Sequence, residues 1–235
     1  MSASRTQRTI AKRLGYSAQV IENTLASPEV LALVTPFGYP EAKMQAGRAL
    51  LETARAAMPA RAAGARGQQS ATKTKATMEE AARTAHAQLA AVARALLSDT
   101  PDRLVALGLA GQETPAADDA FTAAAYTLFD GVARNPDIKA VLAEASYTDA
   151  KLQAERAKIA AFEQADRAQK TKAGAAHRAT GLRDDALNAL EAWIGRYVKI
   201  ARVALVGRRD LQDALGISVA RPSRKKADAP ALPAA

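Results

Sequence analysis

The side chains best suited to chemistry are scarce in this sequence. Histidine occurs at two positions, His86 and His177, and cysteine is absent. A di-metal carboxylate site in a helical bundle needs a Glu-x-x-His pair from each of two helices, with further glutamates facing inward. Neither histidine follows a glutamate by three positions. Glu79 and Glu80 lie seven and six residues before His86, with no matching set in the second half. Spacing therefore excludes that site. The missing cysteines exclude disulfides, thiolate metal sites and a cysteine nucleophile. Walker-type loops, dinucleotide fingerprints, Gly-x-Ser-x-Gly and His-Glu-x-x-His are missing too. No catalytic, cofactor-binding or metal-binding residue is assigned, and a non-enzymatic protein is expected. His86 is expected to be a partly buried packing residue with a local hydrogen bond, and His177 to be exposed. A small ligand held by the polar surroundings of His86 is the weakest functional option.

Charge is the one feature that departs from the ordinary. Between residues 53 and 78 the charged residues are Arg55, Arg61, Arg66, Lys73 and Lys75, with no acid among them. Between 167 and 183 they are Arg167, Lys170, Lys172, Arg178 and Arg183, again without an acid. A third basic group, Arg221, Arg224, Lys225 and Lys226, precedes a proline- and alanine-rich tail, and Arg5, Arg8, Lys12 and Arg13 stand near the other end. With a net charge of +9, these groups favour polyanions as contacts. Phosphates could be tracked by basic residues spaced along a helix. No aromatic residue lies among them, so stacking on single-stranded bases is not expected. The competing reading is a solvated surface that keeps the protein dispersed.

The elements that position these groups follow from an internal repeat. At an offset of 108 residues, Pro28 falls on Pro136, Tyr39 on Tyr147, and Ala42-Lys43-Met44-Gln45-Ala46 on Ala150-Lys151-Leu152-Gln153-Ala154. Arg48 meets Arg156, Thr72 meets Thr180, Arg94 meets Arg202, and Ala106-Leu107-Gly108 meets Ala214-Leu215-Gly216. Each copy predicts a helix (9–26 and 118–134), then Ser27-Pro28-Glu29 or Asn135-Pro136-Asp137, which has the chemistry of a helix start. A short helix ends before Tyr39 or Tyr147, where the aromatic can fix the angle at which the chain enters a long helix. Each copy closes on a short helix stopped by Gly108 or Gly216, with Leu109 or Ile217 supplying the hydrophobic contact of such a stop.

The middle of each copy admits two readings. Residues 64–77 and 174–181 are polar and contain glycine, which predicts hairpin tips. A single uninterrupted helix of about 55 residues is the alternative, because no proline falls in either stretch. The return segment of the second copy places Leu187, Leu190, Ile194, Tyr197, Ala201 and Ala204 on one face. The first copy places Glu79, Ala82, His86, Leu89, Ala93 and Leu96 there. Two hairpins side by side would form an elongated all-α four-helix bundle with short accessory helices, the basic residues 61–75 and 167–183 lying at its tips.

Apolar residues make up 49% of the chain and aromatics 4%; alanine supplies most of the former, which suits closely packed helices. The segments read as a basic arm (1–8), two helical units (9–111 and 112–219) and a basic, proline–alanine tail (220–235). No signal peptide or membrane span is recognised, so a cytoplasmic protein, or part of an assembly built there, is expected. The run Phe37-Gly38-Tyr39-Pro40-Glu41-Ala42-Lys43, followed by a long alanine-rich helical pair, Ile200-Ala201-Arg202-Val203-Ala204-Leu205 and Ala214-Leu215-Gly216-Ile217, resembles a group of uncharacterised bacterial alanine-rich helical-bundle proteins with tandem units. Its second copy departs from the motif at Ala145-Ser146. The resemblance implies no activity, ligand or site residue. The function expected is therefore that of a structural or interaction protein that self-associates or meets a protein partner. The alternative is a nucleic-acid-binding protein without sequence preference, acting through the basic tips and arms.

Overall fold

The structure is a computed structural model that describes residues 5–111 and 114–217. Its regular elements are all helical: α1 (Arg5–Ala26), α2 (Pro28–Val34) with a 3-10 turn (Thr35–Phe37), α3 (Glu41–Leu96), α4 (Pro101–Ala106), α5 (Asp118–Arg134), α6 (Pro136–Glu144), α7 (Asp149–Ala204) and α8 (Arg209–Ala214). The long α3 and α7 pack together in a helical bundle. Glu41 and Asp149 open them 108 positions apart, and each is 56 residues long.

Local chemistry sets the boundaries. Ser27 and Asn135 accept hydrogen bonds from the backbone N–H groups of Val30 and Ile138, both at 3.3 Å, and a proline follows each cap. At the other end, Gly108 and Gly216 adopt φ of +70° and +68°. There Leu109 N–H reaches Leu104 O at 2.8 Å, and Ile217 N–H reaches Gln212 O at 3.0 Å. These are six-to-one closures of a left-handed helix stop, and Leu109 and Ile217 are buried as that motif requires.

The hairpin tips are absent. Residues 64–77 and 174–181 lie inside α3 and α7, so two helices stand where two hairpins of four were expected. The hydroxyls of Thr72, Thr77, Thr171 and Thr180 donate to the carbonyl four residues back, at 3.0 to 3.2 Å, which keeps the polar stretch satisfied within the helix. Gly64 marks a close approach rather than a turn: a Cβ there would stand 3.3 Å from the Cα of Ala176. Even Pro59 is accommodated inside α3.

Packing divides the chain into two compact units, one from Met1–Ala60 with Gly181–Ala235 and one from Arg61–Thr180. Each therefore takes residues from both halves of the sequence. In the first, Val20 and Ile21 of α1, Met44 and Leu51 of α3, and Leu190 and Tyr197 of α7 share one core. Tyr39, Trp193 and Tyr197 form an aromatic cluster with ring centroids 5.0 to 5.9 Å apart. The buried Tyr197 hydroxyl donates to Thr24 Oγ1 at 2.6 Å, since the Thr24 hydroxyl itself donates to Val20 O. Burial pushes the Tyr197 phenol up to about 12.

In the second unit, Phe121, Leu128 and Val132 of α5 pack with Ala82, Leu89 and Ala93 of α3 and with Ile159 and Phe162 of α7. The expected faces hold for most positions. Leu96 departs: it is 43% exposed while Leu97 is buried, because the helix ends there and the chain turns away.

Trp193 leaves no room opposite Gly47, where an added Cβ would meet three ring carbons at 2.4 to 2.7 Å. Gly47→Ala is expected to destabilise the protein by about 1–3 kcal/mol despite alanine's helix preference. Gly195→Ala, whose Cβ meets nothing within 4 Å, should stabilise it by about 0.5–1 kcal/mol. Denaturant unfolding of both variants checks the contrast.

Candidate functional site

The surface singled out by its charge lies on α3 and α7, and its members serve different ends. In unit 2 the residues 61–81 of α3 include no buried side chain, and on α7 between 167 and 180 only Ala176 is buried. Gly64 lies against Ala176, and the Lys172 stem lies over Gly67. As numbers rise on α3 they fall on α7, so the two stretches run antiparallel. Between residues 61 and 78 and between 167 and 180 this two-helix stretch carries Arg61, Arg66, Lys73, Lys75, Arg167, Lys170, Lys172 and Arg178 and no acid; Glu79 and Glu80 follow at its edge.

Part of that charge is consumed by the fold. Lys75 Nζ lies 2.6 Å from Asp118 Oδ2 and 2.7 Å from Asp166 Oδ1, and Asp166 Oδ2 meets Lys170 at 2.7 Å. Asp166 is buried, and its hydrogen bonds to Lys170 and Lys75 hold its carboxyl below the ordinary range. The hydrogen bonds to Asp118 and Asp166 raise Lys75 in turn. Arg167 pairs with Glu163, whose other oxygen accepts the Tyr126 hydroxyl at 3.0 Å. Asp118, Tyr126, Glu163, Asp166, Arg167 and Lys170 help wall a cleft of about 420 Å³ between α5 and α7. Beside it, Arg83 bonds Glu79 and the carbonyls of Pro115 and Ala116 at 2.8 to 3.1 Å, and its guanidinium covers the Phe121 ring. The cluster pins the start of α5 to both long helices. Its carboxylates are neutralised, which suits anchoring and not proton transfer.

Arg61, Arg66, Lys73, Lys172 and Arg178 make no ion pair among the described residues. Four of them are exposed and Arg61 is half-buried. Arg183 belongs to unit 1 and pairs with its neighbour Asp184 at 2.6 Å. The candidates Arg221, Arg224, Lys225 and Lys226 lie outside the described residues, as do residues 1–4 of the expected N-terminal arm. Helix α1 starts at Arg5, earlier than expected.

His86 is fully interior, edge-on to Phe121 with centroids 5.6 Å apart, and its Nδ1 lacks the local hydrogen bond expected for it. Burial, with Arg94 and Arg83 adding to it, lowers its pKa. The hollow beside it, lined by Arg94, Leu107 and Thr114 among others, is about 20 Å³, room for one water rather than a metabolite. His177 is exposed, as expected.

The basic residues that recur at the 108-residue offset have contacts that the sequence reading missed. Lys43 Nζ sits 4.0 Å over the Tyr39 ring and Lys151 Nζ 4.0 Å over Tyr147. Their i, i+4 spacing was the available signal. Arg156 binds Asp130 at 2.7 Å and Arg202 donates to Ile217 O at 3.0 Å.

Among the described residues no three of His, Asp and Glu are grouped to hold a metal ion, and no helix is long and apolar enough to cross a membrane. No family model, curated protein or solved structure matches the chain.

Two pH effects follow. The folded state holds His86 neutral, so the unfolded chain binds a proton first as pH falls through about 6.5. Stability should therefore drop between pH 7 and 5, and His86→Leu should flatten that drop in urea titrations. Asp166 acts lower: its contribution is present above about pH 4 and is lost as pH falls through its depressed folded value. Lys75→Met should cost about 2 kcal/mol at neutral pH, less than the ~3–5 of a fully buried pair because the Lys75 side chain keeps 20% exposure.

Proposed function

We propose that this chain is a non-enzymatic structural or interaction protein that offers the two-helix stretch of unit 2 to an anionic partner. One observation carries the reading: cations without ion pairs stand on a stretch that is nearly free of buried side chains and acids. Nearby, Lys75, Arg83, Arg167 and Lys170 are held in ion pairs around the start of α5. A surface that keeps five cations unspent is suited to contact. Retention on immobilised heparin at low salt, with elution as salt rises, is the expected behaviour. Flow-through at low salt would end the reading.

Self-association is the second reading. We interpret the recurrence of elements at an offset of 108 as a tandem duplication. The paired Tyr–Lys contacts and the paired glycine stops support it. Duplicated units present quasi-equivalent faces, which head-to-tail contact can extend into a filament or lattice. The observation favouring it is in unit 1, where Val203 and Val206 are 58% and 80% exposed near the end of α7. Sedimentation velocity over a hundredfold concentration range should reveal growing species, and Val206→Asp should suppress them. A single monomer boundary throughout would contradict self-assembly.

A further inference from the structure

We infer that Arg61, Arg66, Lys73, Lys172 and Arg178 of unit 2 form a binding surface for the phosphodiester backbone of double-stranded nucleic acid, an assignment that rests on the interaction reading above. Lys73 lies twelve positions beyond Arg61 on α3, with Arg66 between them, a length of about 18 Å of helix. The α7 cations fall within the same length. Lys172 lies over Gly67, and Arg178 Nη1 lies 3.7 Å from where a Gly174 Cβ would be, on the turn facing Gly64. A duplex presents one negative charge per ~1.7 Å of axis, so ~18 Å offers about ten phosphates to five cations.

The surroundings narrow the partner. The stretch has no aromatic residue to stack on unpaired bases. Its outer faces carry no large apolar side chain that could enter a bilayer interface. Between residues 61 and 78 and between 167 and 180 it has no acid to shape a selective pocket for a folded protein. Arg66 and Lys73 are seven residues apart, two helical turns, and so share a face. Long side chains on a rigid helix can follow a phosphate backbone without reading bases. The surface is therefore expected to bind duplexes of any sequence.

The test uses the full chain with a 30-base-pair DNA duplex, polyglutamate, and vesicles containing a third phosphatidylserine, across a series of salt concentrations. The duplex should bind with a log–log salt slope of about −4, since five neutralised phosphates at ~0.9 each set the ceiling. Arg66→Gln, Lys73→Gln and Lys172→Gln combined should weaken duplex binding at least tenfold and cut the slope by about 2.7. Glutamine keeps similar helix propensity, and circular dichroism checks the fold. A control triple in unit 1 (Lys12→Gln, Arg196→Gln, Lys199→Gln) removes the same charge and should change binding less than threefold. Binding of polyglutamate or vesicles but not the duplex, abolished by the first triple, would overturn the nucleic-acid assignment and leave the interaction reading standing. Duplex binding equally weakened by both triples, or by neither, would overturn the surface itself. Failure to bind any of the three probes would overturn both.

Discussion

Two helices can lie together over a stretch with almost no large side chains only if their backbones come close. In unit 2 Gly64 permits that approach, with Ala176 packed where a side chain would otherwise stand. Alanine and glycine bury little area, so the stretch gains little from the hydrophobic effect. It relies instead on close van der Waals contact, continuous backbone hydrogen bonding and threonine hydroxyls bonded into their own helix. Because nothing wider is packed in, the outward faces of both segments remain open to solvent. The basic surface exists because the seam is narrow.

The larger side chains are concentrated elsewhere in each unit. Tyr39, Trp193 and Tyr197 fill one core, and Phe121 and Phe162 help fill the other. Charged groups follow the same division of labour. Lys75 and Lys170 hold the buried Asp166, and Arg83 secures the segment ahead of α5, which leaves the cations farther along the pair available for contact. Removing a tethering charge should therefore affect folding first, whereas removing an unpaired one should affect binding first.

Helix starts and stops were legible in the sequence because they are local chemistry. Ser27, Asn135, Gly108 and Gly216 act within a few residues of themselves. The glycine-bearing polar stretches misled because glycine serves both a turn and a close helix approach, and only the partner helix decides between them. Gly64 reads as a hairpin signal until Ala176 is known to face it. The ion pairs that disqualify Lys75, Arg167, Lys170 and Arg183 as free cations divide by range. Arg167–Glu163, Lys170–Asp166 and Arg183–Asp184 are close in sequence and could have been read, whereas Lys75–Asp166 joins residues on different helices and could not. The burial of His86 was foreseen from its place on the helix face, but its unpartnered Nδ1 depends on the tertiary environment.

The continuity of α3 through its polar stretch is the claim on which the binding surface rests. The absence of cysteine makes it directly measurable by spin labels on cysteines introduced at Ala63 and Glu80, both exposed. Seventeen residues of continuous helix separate the two Cα atoms by about 25 Å, and electron–electron distance measurement should return a narrow distribution near that value. A distribution centred near ~10 Å, the spacing of adjacent packed helices, would mean that the chain doubles back and that the surface described here does not form.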